Sequence, residues 1–378
     1  LRLSSLSQSS ISNDMNDQII ARLLWILIAI TVIPIGLYVY LSAKLTTGSL
    51  LKELLSQNDN LIYHKTPQPV ATETYNDLHI YARLIDISYC IDSYHQIESP
   101  FKCELCSPVS NNMSLICQWY FDDAVCGYIS KTYSNLFENE YLDHSNKLKK
   151  IVVSLRGTRS LHDTVADIQV SMIDYKNQGL NIPICGTECR VHSGFWGYFK
   201  STLEIIESRL KAEIEVSKPN YELIFVGHSL GGSVALLLAL HFLDLGYSKM
   251  TLVTMGQPLV GNNAFATWAD KILGSSNSAP LGRSPRQFIR VIHKGDVVAT
   301  VPRNGRLFER YHNFENQVYI NTSAEAVVPQ PNQVVDCFSG DNPECIAGDF
   351  AAPFSPQDDF YRNHNTYFRR MGLCGFHI

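Results

Sequence analysis

Residues 223–240 read LIFVGHSLGGSVALLLAL, and the order of apolar and small residues in them decides the fold. Leu223 to Val226 is a short unbroken apolar run of strand length, and Gly232 to Leu245 continues as an apolar run of helix length. Between them, Gly227-His-Ser-Leu-Gly231 fits the pattern G-x-S-x-G. The pattern alone is modest evidence, since glycine and serine are common enough for about one chain in eight of this length to carry it by chance. Its setting carries more weight. A strand that turns sharply into a helix at such a serine is a nucleophile elbow. Glycines at 227 and 231 let the backbone turn tightly enough to present Ser229 with its Oγ exposed. The helix N-terminus behind it favours developing negative charge. The plainer alternative is a glycine-rich strand–helix junction without chemistry.

Working outward, Ile151 to Leu155, Met250 to Thr254 and Phe288 to Ile292 are further buried-strand candidates. Helical stretches such as Tyr198 to Leu210 lie between them, and Leu78, Ala82, Ile85 and Tyr89 recur three or four apart from Tyr75 onward. Strands alternating with helices predict a mainly parallel sheet covered on both faces. Residues 98–130 hold two cysteine pairs and read as loops with short strands, and 274–286 reads as a surface loop. There is no internal repeat.

A serine nucleophile needs a base, and the base needs an orienting carboxylate. At an elbow of this kind the chain order is serine, acid, histidine, which leaves only His312, His364 and His377 among the twelve histidines. Asp296 follows the strand Phe288 to Ile292 through His-Lys-Gly, so its carboxylate falls at a strand's C-terminal end, where α/β sites gather. His364 fits the order and spacing better as the base, with His312 the competing choice. An oxyanion would be held by the backbone N–H of Leu230, the residue after the nucleophile, and by Thr158, which ends strand 151–155 through Arg156-Gly157. Straight after it, Leu161, Val165, Ile168 and Met172 share one helical face of the stretch 160–172. Beside an oxyanion loop this reads as an amphipathic lid rather than a plain surface helix.

The chain is 45% hydrophobic and 18% charged, which excludes disorder as its main state. A net charge of −5 without a Lys/Arg-rich face argues against nucleic-acid binding. Residues 1–22 read as a disordered tail. Residues 23–43, LLWILIAITVIPIGLYVYLSA, carry no charge over 21 positions. As a helix they would be about 32 Å long, enough for a transmembrane signal-anchor. A cleaved signal peptide starting at Met15 is the rival, weakened by the length of the apolar run and by Leu41 in an A-x-A-like site, and a buried core helix is the third reading. Residues 44–69 form a polar stalk and 70–378 the catalytic domain. All ten cysteines lie after residue 89, which suggests disulfides in an oxidising compartment. Cys103-Glu-Leu-Cys106 with Cys117 hints at zinc, but no second pair completes a site, so no metal is expected. Asn112 and Asn321 begin glycosylation sequons on the same side. The C-terminal part is therefore expected in the secretory pathway, as a type II membrane protein or a secreted one.

The pieces SLRGTRSLHDTVADI (154–168), VHSGFWGYF (191–199), IFVGHSLGGSVALLLAL (224–240), VTMGQPLVGN (253–262), RVIHKGDVVATVP (290–302) and HNTYF (364–368) together resemble the fungal class 3 lipases, in particular the secreted yeast lipases of the Yarrowia kind. The resemblance implies an α/β-hydrolase fold, a helical lid and a triad of Ser229, Asp296 and His364, with Thr158 and Leu230 as the oxyanion pair. It places His364 ahead of His312, which falls where the family has a non-catalytic histidine before a strand. Two features depart from the family: the long apolar N-terminal segment, and Cys117 and Cys126. Spacing suggests Cys103–Cys106, Cys117–Cys126, Cys185–Cys189, Cys337–Cys345 and a long-range Cys90–Cys374. The implied function is hydrolysis of acylglycerols, triacylglycerol first, at a lipid–water interface through an acyl-enzyme. The expected protein is a monomer that needs no cofactor, acts on lipid, meets the membrane through its N-terminal helix and binds no nucleic acid. The same machinery serves phospholipid cleavage, and a yeast vacuolar lipase that degrades membrane vesicles joins such a domain to an N-terminal anchor. The apolar lid argues against feruloyl esters. A catalytically dead hydrolase fold used for interactions would usually have lost a triad member or the oxyanion loop, and here every part is present.

Overall fold

Among the strand candidates, each apolar run pairs with the next where its length and β-branched content predict. The computed structural model describes residues 65–107, 109, 113–120, 125–132, 148–158, 171–275, 288–302, 310–345 and 357–374. The apolar segment 23–43, Asn112 and the expected lid residues Leu161, Val165 and Ile168 lie outside them. Among the described residues no helix is long and apolar enough to cross a membrane.

The strands are β1 (Gln68–Pro69), β2 (Met113–Trp119), β3 (Cys126–Thr132), β4 (Lys149–Arg156), β5 (Met172–Asp174), β6 (Arg190–His192), β7 (Tyr221–His228), β8 (Met250–Met255), β9 (Phe288–His293), β10 (Gln317–Ile320) and β11 (Val334–Asp336). The helices are α1 (Thr72–Ser88), α2 (Ser193–Glu215), α3 (Leu230–Asp244), α4 (Asn263–Ile272) and α5 (Gln357–His364). Nine strands join one sheet in the order β1-β11-β10-β9-β8-β7-β4-β3-β2. Its centre, from β4 through β7, β8 and β9 to β10, is parallel, and both flanks are antiparallel. Residues 98–130 contribute more than loops with short strands: β2 and β3 are seven-residue strands of the main sheet. Gln68 and Pro69, the end of the expected stalk, pair with β11, so the folded unit takes in the last residues of that stalk.

The two faces of the sheet bury alternate residues of each strand. Ile151, Val153, Leu155, Leu223, Phe225 and Leu252 face α2, α3 and α4. Val152, Ile224, Val226, Val253 and Met255 face α1 and the segment Tyr367–Met371. Helix α3 is apolar nearly all round and buried nearly all round, as a helix without a polar face must be.

The cysteines divide along the same layers. Cys90–Cys374, Cys103–Cys106, Cys185–Cys189 and Cys337–Cys345 are bonded. The expected Cys117–Cys126 bridge does not form, and both are buried thiols outside any disulfide. The register explains it: Cys117 sits opposite Ile129 and Cys126 opposite Arg156. Their side chains enter cores on opposite faces of the sheet, which no disulfide can span. Met172, expected as the last residue of a lid helix, is instead in β5 opposite His192, packed against Leu259 and Tyr311. Asn321 is exposed just after β10.

Candidate active site

Ser229 sits where β7 ends and α3 begins, with φ 57° and ψ −133°. A non-glycine residue in that conformation costs on the order of 1–3 kcal/mol and is characteristic of functional sites. The flanking glycines serve the turn by close approach rather than by unusual φ: a Cβ on Gly227 would lie 2.4 Å from the Gly231 carbonyl oxygen. The Ser229 N–H donates to the Met255 carbonyl at 3.0 Å, which ties the elbow to β8. Its Oγ makes no hydrogen bond.

Asp296 and His364 come together from sequence positions 68 apart. Nδ1–H of His364 donates to the carboxylate at 2.9 Å to Oδ1 and 3.0 Å to Oδ2, and both side chains are fully buried. The same carboxylate accepts the Val298 N–H at 3.0 Å and the Tyr367 hydroxyl. Burial alone would raise the pKa of Asp296, but the His364 ring and the hydrogen bonds from His364 and Tyr367 outweigh it and hold the carboxyl below its ordinary value. With Nδ1 engaged, the second ring nitrogen of His364 is left as an acceptor, and Nε2 has no hydrogen-bond partner. Gly256 makes room for the pair. Its φ is +60°, and a Cβ there would lie 3.0 Å from both Asp296 Oδ2 and His364 Cε1.

His312 takes no part. It follows Tyr311, which bridges to Asn262, and its backbone N–H donates to the Gly261 carbonyl at 2.9 Å.

The end of β4 closes over the elbow. A Cβ on Gly157 would lie 3.0 Å from Ser229 Cβ and 3.1 Å from the Leu230 nitrogen, so only glycine lets this strand end approach so near. Thr158, the next residue, is half-buried, and Leu230 is buried at the start of α3. Gly157, the residue before Thr158, thus lies against both Ser229 and the Leu230 nitrogen.

Sequence reasoning missed three side chains that touch this assembly. Tyr367, within the quoted HNTYF, donates to Asp296 and accepts the His293 N–H at 3.1 Å. His228, the variable position of G-x-S-x-G, bonds through Nε2 to the His364 carbonyl at 2.8 Å and through Nδ1 to the Tyr89 hydroxyl at 2.5 Å. A carbonyl only accepts, so Nε2 of His228 carries the proton and Tyr89 donates to Nδ1. Burial, then the neighbouring His364, lowers the pKa of His228 to about 3, so the ring is neutral at any working pH. Tyr89, just after α1, is thereby tied through His228 to the backbone of His364.

With the geometry in place, comparison with known proteins is decisive. A family model described as "Lipase (class 3)" matches residues 152–305. Secreted mono- and diacylglycerol lipase 2 of Gibberella zeae is 31% identical over 300 residues, covering 75% of this chain and 71% of that protein. The chain belongs to the class 3 lipases. As such it is a carboxylic ester hydrolase. Lipase A of Sodiomyces alcalophilus is 26% identical to the lipase described here, across 86% of this chain and 87% of its own. The crystal structure of Lip2 lipase from Yarrowia lipolytica matches it with a TM-score of 0.67 at 30% identity, covering 82% of this chain and 99% of that one. The α/β-hydrolase fold follows from these matches together with the sheet order. The family match spans Thr158, Ser229 and Asp296 of the lipase but ends before His364, which the structure brings against Asp296.

Proposed function

We propose that this lipase hydrolyses acylglycerols by nucleophilic catalysis, with Ser229 as nucleophile, His364 as general base and acid, and Asp296 as the group that fixes the imidazole. The observation that carries the reading is the asymmetry of His364: Nδ1 is bonded to Asp296, while Nε2 and the Ser229 Oγ have no partner. In the first step Nε2 takes the hydroxyl proton as Oγ attacks the ester carbonyl. The same nitrogen then protonates the departing glycerol oxygen. Water repeats the sequence on the acyl-enzyme and releases the fatty acid. The Leu230 N–H, with Thr158, holds the oxyanion, and each such donor contributes about 2.7–4 kcal/mol to transition-state stabilisation. The lid role stays with the amphipathic face of Leu161, Val165 and Ile168, which lies outside the described residues. No metal or organic cofactor takes part.

Triacylglycerol at a lipid–water interface is the favoured substrate, and names among the relatives extend the range to mono- and diacylglycerols. Four disulfides and the secreted relatives support export through the secretory pathway, with Asn321 glycosylated there. Segment 23–43 either anchors the enzyme or is cleaved, and extraction of membranes at alkaline pH separates the two.

Purified enzyme, with Ser229→Ala alongside, is to be assayed on emulsified triolein, phosphatidylcholine and a soluble short-chain ester. The expected result is triolein hydrolysis that climbs above the solubility limit and is lost at least 10⁴-fold, roughly, in the variant. Predominant cleavage of phosphatidylcholine would move the substrate assignment to membrane lipid. Full activity in Ser229→Ala would overturn the mechanism.

A further inference from the structure

Strand β9 carries a charged residue where a buried strand should be apolar. Arg290 is 0% exposed, and among the described residues it has no carboxylate within ion-pair distance. A buried guanidinium is costly unless its donors are met, and four of its five N–H groups are. Nη2 donates to the Gln257 carbonyl at 2.9 Å and to the Ala299 carbonyl at 2.6 Å. Nη1 donates to Asn313 Oδ1 at 3.3 Å and Gln317 Oε1 at 3.2 Å. Nε has no partner.

The two carbonyls on Nη2 belong to the two segments that define the acid–base pair. Gln257 follows Gly256, whose Cα lies against Asp296 and His364 so closely that a Cβ would be 3.0 Å from each. Ala299 lies in the 3₁₀ turn Val298–Thr300, whose first N–H is bonded to Asp296 Oδ1. One nitrogen thus fastens the wall behind the imidazole to the turn that aims the carboxylate. The two segments are joined once more beyond it, where the Leu259 N–H donates to the Val301 carbonyl at 2.9 Å. Nη1 braces the fork from the opposite side, on side chains at and before β10.

We propose that Arg290 is a positioning residue for the lipase reaction: its forked hydrogen bonds to Gln257 and Ala299 set the register between the Asp296 turn and the Gly256 wall, and so the alignment of Asp296 with His364. Burial lowers its pKa to about 10, which leaves it charged at neutral pH, and Asp296 is among the groups that favour that charge. Lysine would keep the charge but not the planar fork, so the two functions separate by substitution.

The inference rests on Asp296 acting as the partner of His364, and the test keeps the two apart. Arg290→Lys and Arg290→Met are compared with the parent enzyme on a soluble p-nitrophenyl ester, each alone and combined with Asp296→Asn, with Ser229→Ala as the zero. The expected result for Arg290→Lys is a kcat lowered about 10-fold with KM within twofold, and a larger loss in Arg290→Met. In the Asp296→Asn background the same changes should cost under threefold, because the group they align is already disabled. Should Arg290→Met fail to fold, Arg290→Lys with its double variant decides alone. A lysine variant with parental kcat, or losses that multiply in full with Asp296→Asn, would overturn the proposal. Activity surviving in Ser229→Ala would instead overturn the catalytic reading beneath it.

Discussion

Asp296 and Asp270 are both buried aspartates, at 0% and 3% exposure, yet the protein drives them in opposite directions. Asp296 collects donors: His364, Tyr367 and the Val298 N–H all converge on it, and its pKa falls below the ordinary value. Asp270, in α4, receives the Glu315 N–H at 3.0 Å on Oδ2, while Oδ1 has no hydrogen-bond partner. Burial lifts its pKa to about 7, the Glu315 charge adding to the effect while the Glu315 N–H opposes it. Desolvation is common to both and disfavours the anion in both. What separates them is the number and charge of the groups that hydrogen-bond the ionised form. One carboxyl is held as an anion by its donors, and the other is a site of conditional stability.

The sharpest way to break the contrast is to remove the charge of Asp296. Asp296→Asn keeps the shape but offers an amide to Nδ1 of His364, which favours the wrong tautomer. A kcat loss of about 10⁴-fold is expected, with little change in KM for a soluble ester. A loss below tenfold would show that Asp296 does not orient the base.

Removing one donor is the gentler version. Tyr367→Phe deletes the hydroxyl bonded to Asp296 and also leaves the His293 N–H without its acceptor. A charge-assisted hydrogen bond contributes about 1.5–3 kcal/mol, so kcat should fall roughly 10-fold or somewhat more. The pH dependence carries the sign. A carboxyl with a depressed folded pKa stabilises the protein above its unfolded pKa, and that stability is lost as pH falls through the folded pKa. With Tyr367 gone the folded pKa rises towards the ordinary value, so acid unfolding should begin at higher pH than in the parent. An unchanged acid limb of Tm against pH would count against Tyr367 as a donor to the anion.

These residues also show which parts of the site could be read in advance. The elbow is local, since strand, turn and helix lie within 223–240, and the runs that became β4, β7, β8 and β9 are apolar enough to announce themselves. Asp296 could be found because it ends such a run. Strands β2 and β3 could not, because MSLICQW and CGYISKT mix polar, small and apolar residues at a sheet flank, where cysteines invited a loop reading. The Cys117–Cys126 pairing failed for a related reason: spacing along the chain carries no information about which face of a strand a residue occupies. Tyr89, 139 positions from His228, and Arg290, a single charge inside FIRVI, gain their roles only from tertiary contacts. In the sequence Arg290 reads as a flaw in a buried strand. In the fold its carbonyl and amide partners account for it.

The smallest expected effect belongs to Asp270, and it should appear in stability rather than rate. Its folded pKa lies above the unfolded value, so over the interval between them the native state binds the proton and the unfolded chain does not. Stability is then fully present below about pH 3.8, the unfolded value, and declines as pH rises towards about 7. Above that, the native protein carries a buried anion with one oxygen unpartnered, at a cost on the order of 4 kcal/mol. Asp270→Asn removes the titration while keeping an oxygen for the Glu315 N–H. The variant should match the parent in Tm near pH 4 and exceed it by several degrees at pH 8, with kcat on a soluble ester within twofold at both. An equal Tm difference at the two pH values would show that Asp270 does not titrate across this range. Its contrast with Asp296 would then reduce to packing.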